Sequence, residues 1–171
     1  MLECELKFRV ADFGGVEESL AGLGCSLSEP DEETNLVFDD PRGALGASGT
    51  LLRLRKCSSG LLLTVKTTVA HPAVKVREEH EALLGCDIGG GVEILAALGF
   101  APVYRYDKTR RTCSLLDTTV CLDELRFGRY VEIEAPSEEA LVRTAVRLGF
   151  DPAAGIRLSY AALEREADGD A

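Results

Sequence analysis

Charged side chains at every second position limit what this chain can fold into more than any other feature. Glu3, Glu5 and Lys7 alternate with Leu2, Cys4, Leu6 and Phe8, the period-2 pattern of a strand with one charged and one apolar face. Two carboxylates and an ammonium therefore point the same way. Hard divalent cations prefer carboxylate oxygens and an ammonium suits a phosphate oxygen, so this face can hold a metal–phosphate complex. Taken alone it can equally be a wet strand face, and the remaining strands decide between the two.

The alternation recurs along the chain. Arg53 and Arg55 alternate with leucines, and Thr64 and Lys66 share a phase over 61–68 after a Ser58-Ser59-Gly60 turn. Arg77, Glu79 and Glu81 share a phase within 74–84, as do Tyr106, Lys108 and Arg110 within 103–115. Cys121 and Asp123 follow in 119–125, and Glu132 and Glu134 in 130–134. A shorter strand is expected over 34–39, after an acidic loop at 28–33, and a mobile small-residue loop over 43–49.

Helices are expected over 13–23, with Asp12 as N-cap, over 89–98, with Ile94, Leu95 and Leu98 as the apolar stripe, and over 137–148, with Ser137 as N-cap. Leu-Gly ends each of them. A last short helix or strand–helix junction covers 156–166, within a single domain spanning 1–166, and 167–171 is expected to fray. The triple glycine at 89–91 lacks the Gly-Lys-Ser/Thr of a phosphate cradle and reads as a flexible helix entrance.

Helix stripes need apolar partners, which only the apolar strand faces offer, so helices must cover those faces. The charged faces then meet water or one another. Closing the sheet removes exposed edges, and eight strands leave an interior wide enough for side chains and one small ligand. Arg-x-Arg and Glu-x-Glu place like charges together, which is unfavourable unless something binds them. The expected fold is α+β: an eight-stranded antiparallel closed β-barrel with helices packed outside and a charged tunnel within.

The net charge of −10 disfavours a polyanionic ligand only in sum. Screening confines exposed charges to about 10 Å at ordinary salt, so a local cluster of Lys and Arg outweighs a remote acidic surface. Long nucleic acid is excluded, because the basic residues alternate within strands instead of forming one broad face. No apolar run is long enough to span a membrane and no secretory signal opens the chain, so the expected location is cytoplasmic. The six cysteines contain no CxxC pair and read as reduced structural thiols. His80 reads as a surface or packing residue, since the other histidine sits in a connection and no third accompanies it.

The ordered set Glu3-x-Glu5-x-Lys7, Leu52-Arg53-Leu54-Arg55, Leu63-Thr64-Val65-Lys66, Arg77-Glu78-Glu79-His80-Glu81, Lys108-Thr109-Arg110, Leu122-Asp123-Glu124, Gly128-Arg129-Tyr130-Val131-Glu132-Ile133-Glu134 and Arg157-Leu158-Ser159-Tyr160 resembles the CYTH domain of the triphosphate tunnel metalloenzymes. That resemblance implies an eight-stranded tunnel, and activities that include class IV adenylate cyclase, thiamine triphosphatase and inorganic triphosphatase. It implies that Glu3, Glu5, Glu132 and Glu134 hold Mg2+ or Mn2+, with Asp123 and Glu81 as additional ligands or orienting groups. It implies a phosphate clamp of Lys7, Arg53, Arg55, Lys66, Lys108, Arg110 and Arg157, with Glu5, Lys7 and Lys66 nearest the chemistry.

Two positions depart from the family pattern. Cys113 stands where an aromatic residue is common, and the segment around Asn35 to Phe38 lacks the usual tyrosine, which leaves the organic part of the substrate open. The absence of tryptophan removes the best stacking partner for a thiamine ring. The leading expectation is a metal-dependent triphosphatase acting on inorganic or nucleoside triphosphate. Two others stand beside it: a class IV adenylate cyclase making cyclic AMP and pyrophosphate from ATP, and a non-catalytic polyphosphate or nucleotide sensor. The expected partner is a small triphosphate, and the reading allows a homodimer.

Overall fold

The computed structural model describes residues 2–169. Eight antiparallel strands close into a barrel: β1 (Leu2–Val10), β2 (Asp31–Asp39), β3 (Thr50–Cys57), β4 (Gly60–Val69), β5 (Lys75–Leu84), β6 (Ala101–Leu115), β7 (Thr118–Leu125) and β8 (Gly128–Ala135). Around the barrel they run β1-β5-β4-β3-β2-β6-β7-β8, and β8 pairs back onto β1. The helices are α1 (Gly14–Gly22), α2 (Ala44–Ala47), α3 (Ile88–Ala97), α4 (Glu138–Arg147) and α5 (Tyr160–Asp168). Among the described residues no helix is long and apolar enough to cross a membrane, and all six cysteines are free thiols.

The apolar strand faces point outward and the helices cover them. Leu6, Phe8, Leu122, Val131 and Ile133 form the largest cluster, with Val16 and Leu20 of α1 and Leu141 and Ala145 of α4. Phe38, Leu52, Leu54 and Leu61 form a second cluster with Leu95 of α3. The third sits at one end of the barrel, where Tyr160 and Leu163 of α5 pack on Leu125 and Tyr130. Leu-Gly does end three helices, and Gly24, Gly99 and Gly149 take φ values of +74°, +89° and +83°, which glycine adopts without a Cβ penalty. Ser137 caps α4 by accepting from the Ala140 amide.

Several local expectations are corrected. Strand β2 begins at Asp31, so half of the acidic run is strand. Cross-strand groups make this possible: Glu33 meets Arg55 and Lys108, Glu32 accepts from the Thr109 hydroxyl, and Asp31 accepts from Ser58. The 43–49 segment contains α2, pinned by Asp39, whose carboxylate accepts from the Leu45 and Gly46 amides at 2.9 Å each.

Helix α3 turns a different face inward from the one expected. Ile94 and Leu98 are exposed, and Gly91 and Leu95 are buried. The triple glycine is a packing surface instead of a flexible entrance, because a Cβ on Gly91 would lie 2.9 Å from both Leu54 and Leu61. Asp87 caps this helix, accepting from the Gly90 amide. Around α1 the Asp12 side chain accepts from the Gly14 amide, but the N-cap position is Phe13, one residue later. At the C-terminal end α5 starts at Tyr160, capped by Ser159, and continues through Asp168. Of the tail expected to fray, residues 170 and 171 lie outside the described residues.

Candidate active site

Strand pairing places one phase of every strand in the lumen. On β1 and β8, Glu5 lies opposite Glu134, and Lys7 opposite Glu132. On β1 and β5, Glu3 lies opposite Arg77, and Glu5 opposite Lys75. On β3 and β4, Arg53 lies opposite Thr64. The resulting cavity holds about 600 Å³ and is lined by nine cations (Lys7, Arg53, Arg55, Lys66, Lys75, Arg77, Lys108, Arg110 and Arg165) against seven carboxylates (Glu3, Glu5, Asp39, Glu79, Glu81, Glu132 and Glu134). A chain of net charge −10 thus encloses a cavity with more positive than negative side chains.

Two layers differ in how these charges are compensated. In the deep layer, Asp123 has no exposed surface and accepts from Lys108 at 3.0 Å, from Arg110 at 2.6 Å through both Nε and Nη2, and from the Tyr160 hydroxyl. Glu132 meets Lys7 at 3.4 Å, Arg110 at 3.3 Å and the Tyr160 hydroxyl at 3.0 Å. Burial pushes the Glu132 pKa up, but Lys7, Arg110 and Lys108 outweigh it and hold the carboxyl well below its ordinary range. The Lys7 ammonium is raised in turn, since Glu132 and Glu5 outweigh its own burial.

Nearer the opposite end, the carboxylates crowd one another. Burial, then the neighbouring Glu134 and Glu79, pushes Glu3 up to about 8, although Lys66 lies 2.7 Å away. Burial also raises Glu134, with Arg110 at 3.5 Å only partly opposing it. A second pocket opens here, lined by Glu3, Glu79, Glu81, Asp117 and Glu134 and, among the described residues, by no basic one. Lys75 is pushed down to about 8, by burial first and then by Lys7, even though it donates to Glu5.

Crowded carboxylates whose charge is disfavoured offer the hard oxygen donors and surplus negative charge that Mg2+ or Mn2+ takes. Glu3 and Glu134 fit such an ion by that chemistry. Glu3 and Glu134 each have one close cation, Lys66 and Arg110, whereas Glu5 and Glu132 have two each, and among the described residues no three His, Cys, Asp or Glu side chains are arranged to hold a metal.

The sequence-expected residues mostly converge. Glu3, Glu5, Lys7, Arg53, Arg55, Lys66, Glu81, Lys108, Arg110, Glu132 and Glu134 line the cavity. Asp123 lies beneath it, saturated by its three partners. Arg157 does not join: it is exposed and donates to the Pro72 carbonyl at 2.9 Å. The cause is parity. Ile156 bridges Lys7 with backbone hydrogen bonds in both directions and packs inward on the α5 cluster, which turns the next residue out.

Sequence reasoning missed several groups. Lys75 sits at the strand boundary, two residues before Arg77 in the same phase, and that phase was the available signal. Glu33 was hidden in the acidic run. Tyr104 carried the same period-2 signal as Tyr106, Lys108 and Arg110, whereas Tyr160 enters from a helix and carried no strand phase, only its place in the Arg157-Leu158-Ser159-Tyr160 motif.

Among the described residues, four buried side-chain polar atoms have no hydrogen-bond partner: Nε of Arg53, Arg55 and Arg77, and Oδ1 of Asn35. Orphaned buried donors are rare because each carries its full desolvation penalty. Three of the four belong to guanidinium groups lining one cavity.

The sequence matches the CYTH domain family over residues 1–153, and the chain belongs to that family. Solved structures share the fold. Two proteins of Pyrococcus horikoshii OT3 superpose with TM-scores of 0.79 and 0.80 at 25% and 24% identity, covering 94% and 96% of this chain and 98% of each of theirs. A candidate adenylate cyclase from Vibrio parahaemolyticus superposes with a TM-score of 0.79 at 21% identity, covering 96% of this chain and 98% of its own. No curated protein sequence matches the chain.

Proposed function

We propose that this protein is a divalent-metal-dependent triphosphatase whose substrate is a small triphosphate held in the tunnel. The observation that carries this reading is the convergence of Arg53 and Arg55 from β3 and Arg77 from β5 on one cavity, where guanidinium groups offer phosphate oxygens charge-assisted hydrogen bonds. Lys7, Lys66, Lys108 and Arg110 extend the clamp from other strands.

Glu3 and Glu134, with Glu5 and Glu132 behind them, would hold Mg2+ or Mn2+, and such an ion supplies charge neutralisation and an activated water. The remaining work falls to the clamp. Phosphoryl transfer spreads negative charge over the equatorial oxygens of the transferred group, so catalysis is chiefly positioning and electrostatic stabilisation. Lys7 and Lys66 are fixed by carboxylates before substrate arrives and meet that developing charge without reorganisation. Water adds to the terminal phosphorus, the bridging P–O bond breaks, and the remainder of the chain leaves.

Phosphorus NMR of the products formed from inorganic triphosphate and from ATP, each with Mg2+ and then Mn2+, tests this. Orthophosphate is expected from either substrate. Pyrophosphate with cyclic AMP would make the protein a cyclase, and metal-dependent binding without turnover would make it a sensor.

A further inference from the structure

One end of the tunnel is built for something other than phosphate. Tyr104 and Tyr106 are stacked, with ring centroids 5.4 Å apart and planes 23° apart, and Tyr106 lies 5.7 Å from Tyr160. Both stacked rings are half-buried and line the cavity beside Val37, Leu51 and Val103. The Tyr104 hydroxyl donates to Glu164 of α5, which fixes the ring and takes up its polar end. The Tyr106 hydroxyl is turned to Arg53 of the clamp, and what the two rings leave beside Val37, Leu51 and Val103 is an aromatic and apolar shelf.

Strand register sets where this shelf lies. Along β6 the lumen phase reads Tyr104, Tyr106, Lys108, Arg110, so rings and cations follow one another in steps of about 7 Å on one face. Further on, Ser114 pairs with Thr119, and Thr119 pairs with Glu134. The crowded carboxylates and the tyrosines therefore occupy opposite ends of the barrel, with the clamp between them. A bound chain has a direction: head group at the tyrosines, terminal phosphate towards Glu3 and Glu134.

We infer that Tyr104 and Tyr106 seat an aromatic ring, so that the tunnel takes a triphosphate ester with an aromatic head group, such as a nucleoside triphosphate, in preference to inorganic triphosphate. The inference rests on the triphosphate reading and adds to it a specificity site. Inorganic triphosphate has nothing to place on an apolar shelf, whereas every nucleobase has a face that stacks on an aromatic side chain.

Equilibrium titration of the intact protein with ATP, ribose 5-triphosphate and inorganic triphosphate tests it. ATP is expected to bind about tenfold or more tighter than ribose 5-triphosphate, the effect of one base–aromatic stack. Tyr104→Leu should remove that advantage and change inorganic triphosphate affinity less than twofold, which also reports an intact tunnel. Tyr104→Phe, which loses the Glu164 contact but keeps the ring, should retain it. Equal affinity of the native protein for ATP and ribose 5-triphosphate would overturn the shelf and leave the clamp standing. Failure of all three ligands to bind would overturn the clamp and the shelf with it.

Discussion

Glu3 is a carboxylate whose charge this tunnel disfavours. Burial and the neighbouring Glu134 lift its pKa to about 8 from an ordinary 4.5, so between those values the folded protein binds a proton that the unfolded chain has released. Stability from this group is complete below about pH 4.5 and is lost as pH rises towards 8. With chelator present, the native protein should lose melting temperature between pH 5 and pH 8 more steeply than Glu3→Gln does. Mg2+ should raise the melting temperature more at pH 8 than at pH 5, because only the ionised carboxyl is a ligand. Parallel pH profiles for the two proteins would remove Glu3 from this role. Arg55 makes the complementary case among the cations. Its outer nitrogens meet Glu81 at 2.8 Å and Glu33 at 3.4 Å, and its Nε stays orphaned. Hydrogen bonds to charged groups contribute about 1.5–3 kcal/mol, so Arg55→Ala should weaken inorganic triphosphate by about tenfold or more and orthophosphate by far less. Equal losses in titrations of the two ligands would argue against a clamp for several phosphates.

At the scale of the element, two helix glycines make opposite predictions. A Cβ at Gly22, the last residue of α1, meets nothing within 4 Å, whereas one at Gly91 would lie 2.9 Å from Leu54 and Leu61. Alanine gains about 1 kcal/mol over glycine in a helix interior, and overpacking a tight core costs about 1–3 kcal/mol. Leu54 and Leu61 are buried and have little room to yield. Thermal melts should therefore show Gly22→Ala at or above the native midpoint and Gly91→Ala about 2–4 °C below it; a rise for Gly91→Ala would mean that α3 can shift on the sheet. The same helix explains where sequence reading stops. Period-2 alternation made β1, β3, β4 and β8 legible, and most of the candidate site with them, because each lumen residue is marked by its own strand. Gly91 carries no such mark, since its role is the room it leaves for two leucines on other strands. Strand β2 was illegible at its start because the cations that tolerate Glu33 stand on β3 and β6. Arg157 was misplaced because its direction is set by the long-range bridge between Lys7 and Ile156.

Across the whole molecule the barrel is not equally well sealed. The ladder between β1 and β8 joins seven residue pairs, from Cys4 to Val10, whereas that between β1 and β5 joins only four, from Leu2 to Glu5. Past Glu5, the other edge of β1 is taken up by Ile156, which exchanges two backbone hydrogen bonds with Lys7. The seam is therefore completed by a residue outside the stretch that matches the family. It is also where Glu3 and Glu5 face Arg77 and Lys75, two carboxylates against two cations, and where the Arg77 Nε has no partner. Short ladders open locally at lower free energy than long ones, and a ligand that bridges an opening raises that free energy. Amide hydrogen exchange should therefore be faster over 75–78 than over 130–134. Inorganic triphosphate with Mg2+ should slow exchange over 75–78 by a larger factor than over 130–134, and orthophosphate should not. Uniform protection of both strands would place the ligand's grip elsewhere in the barrel, and no protection of 75–78 would remove Lys75 and Arg77 from the clamp.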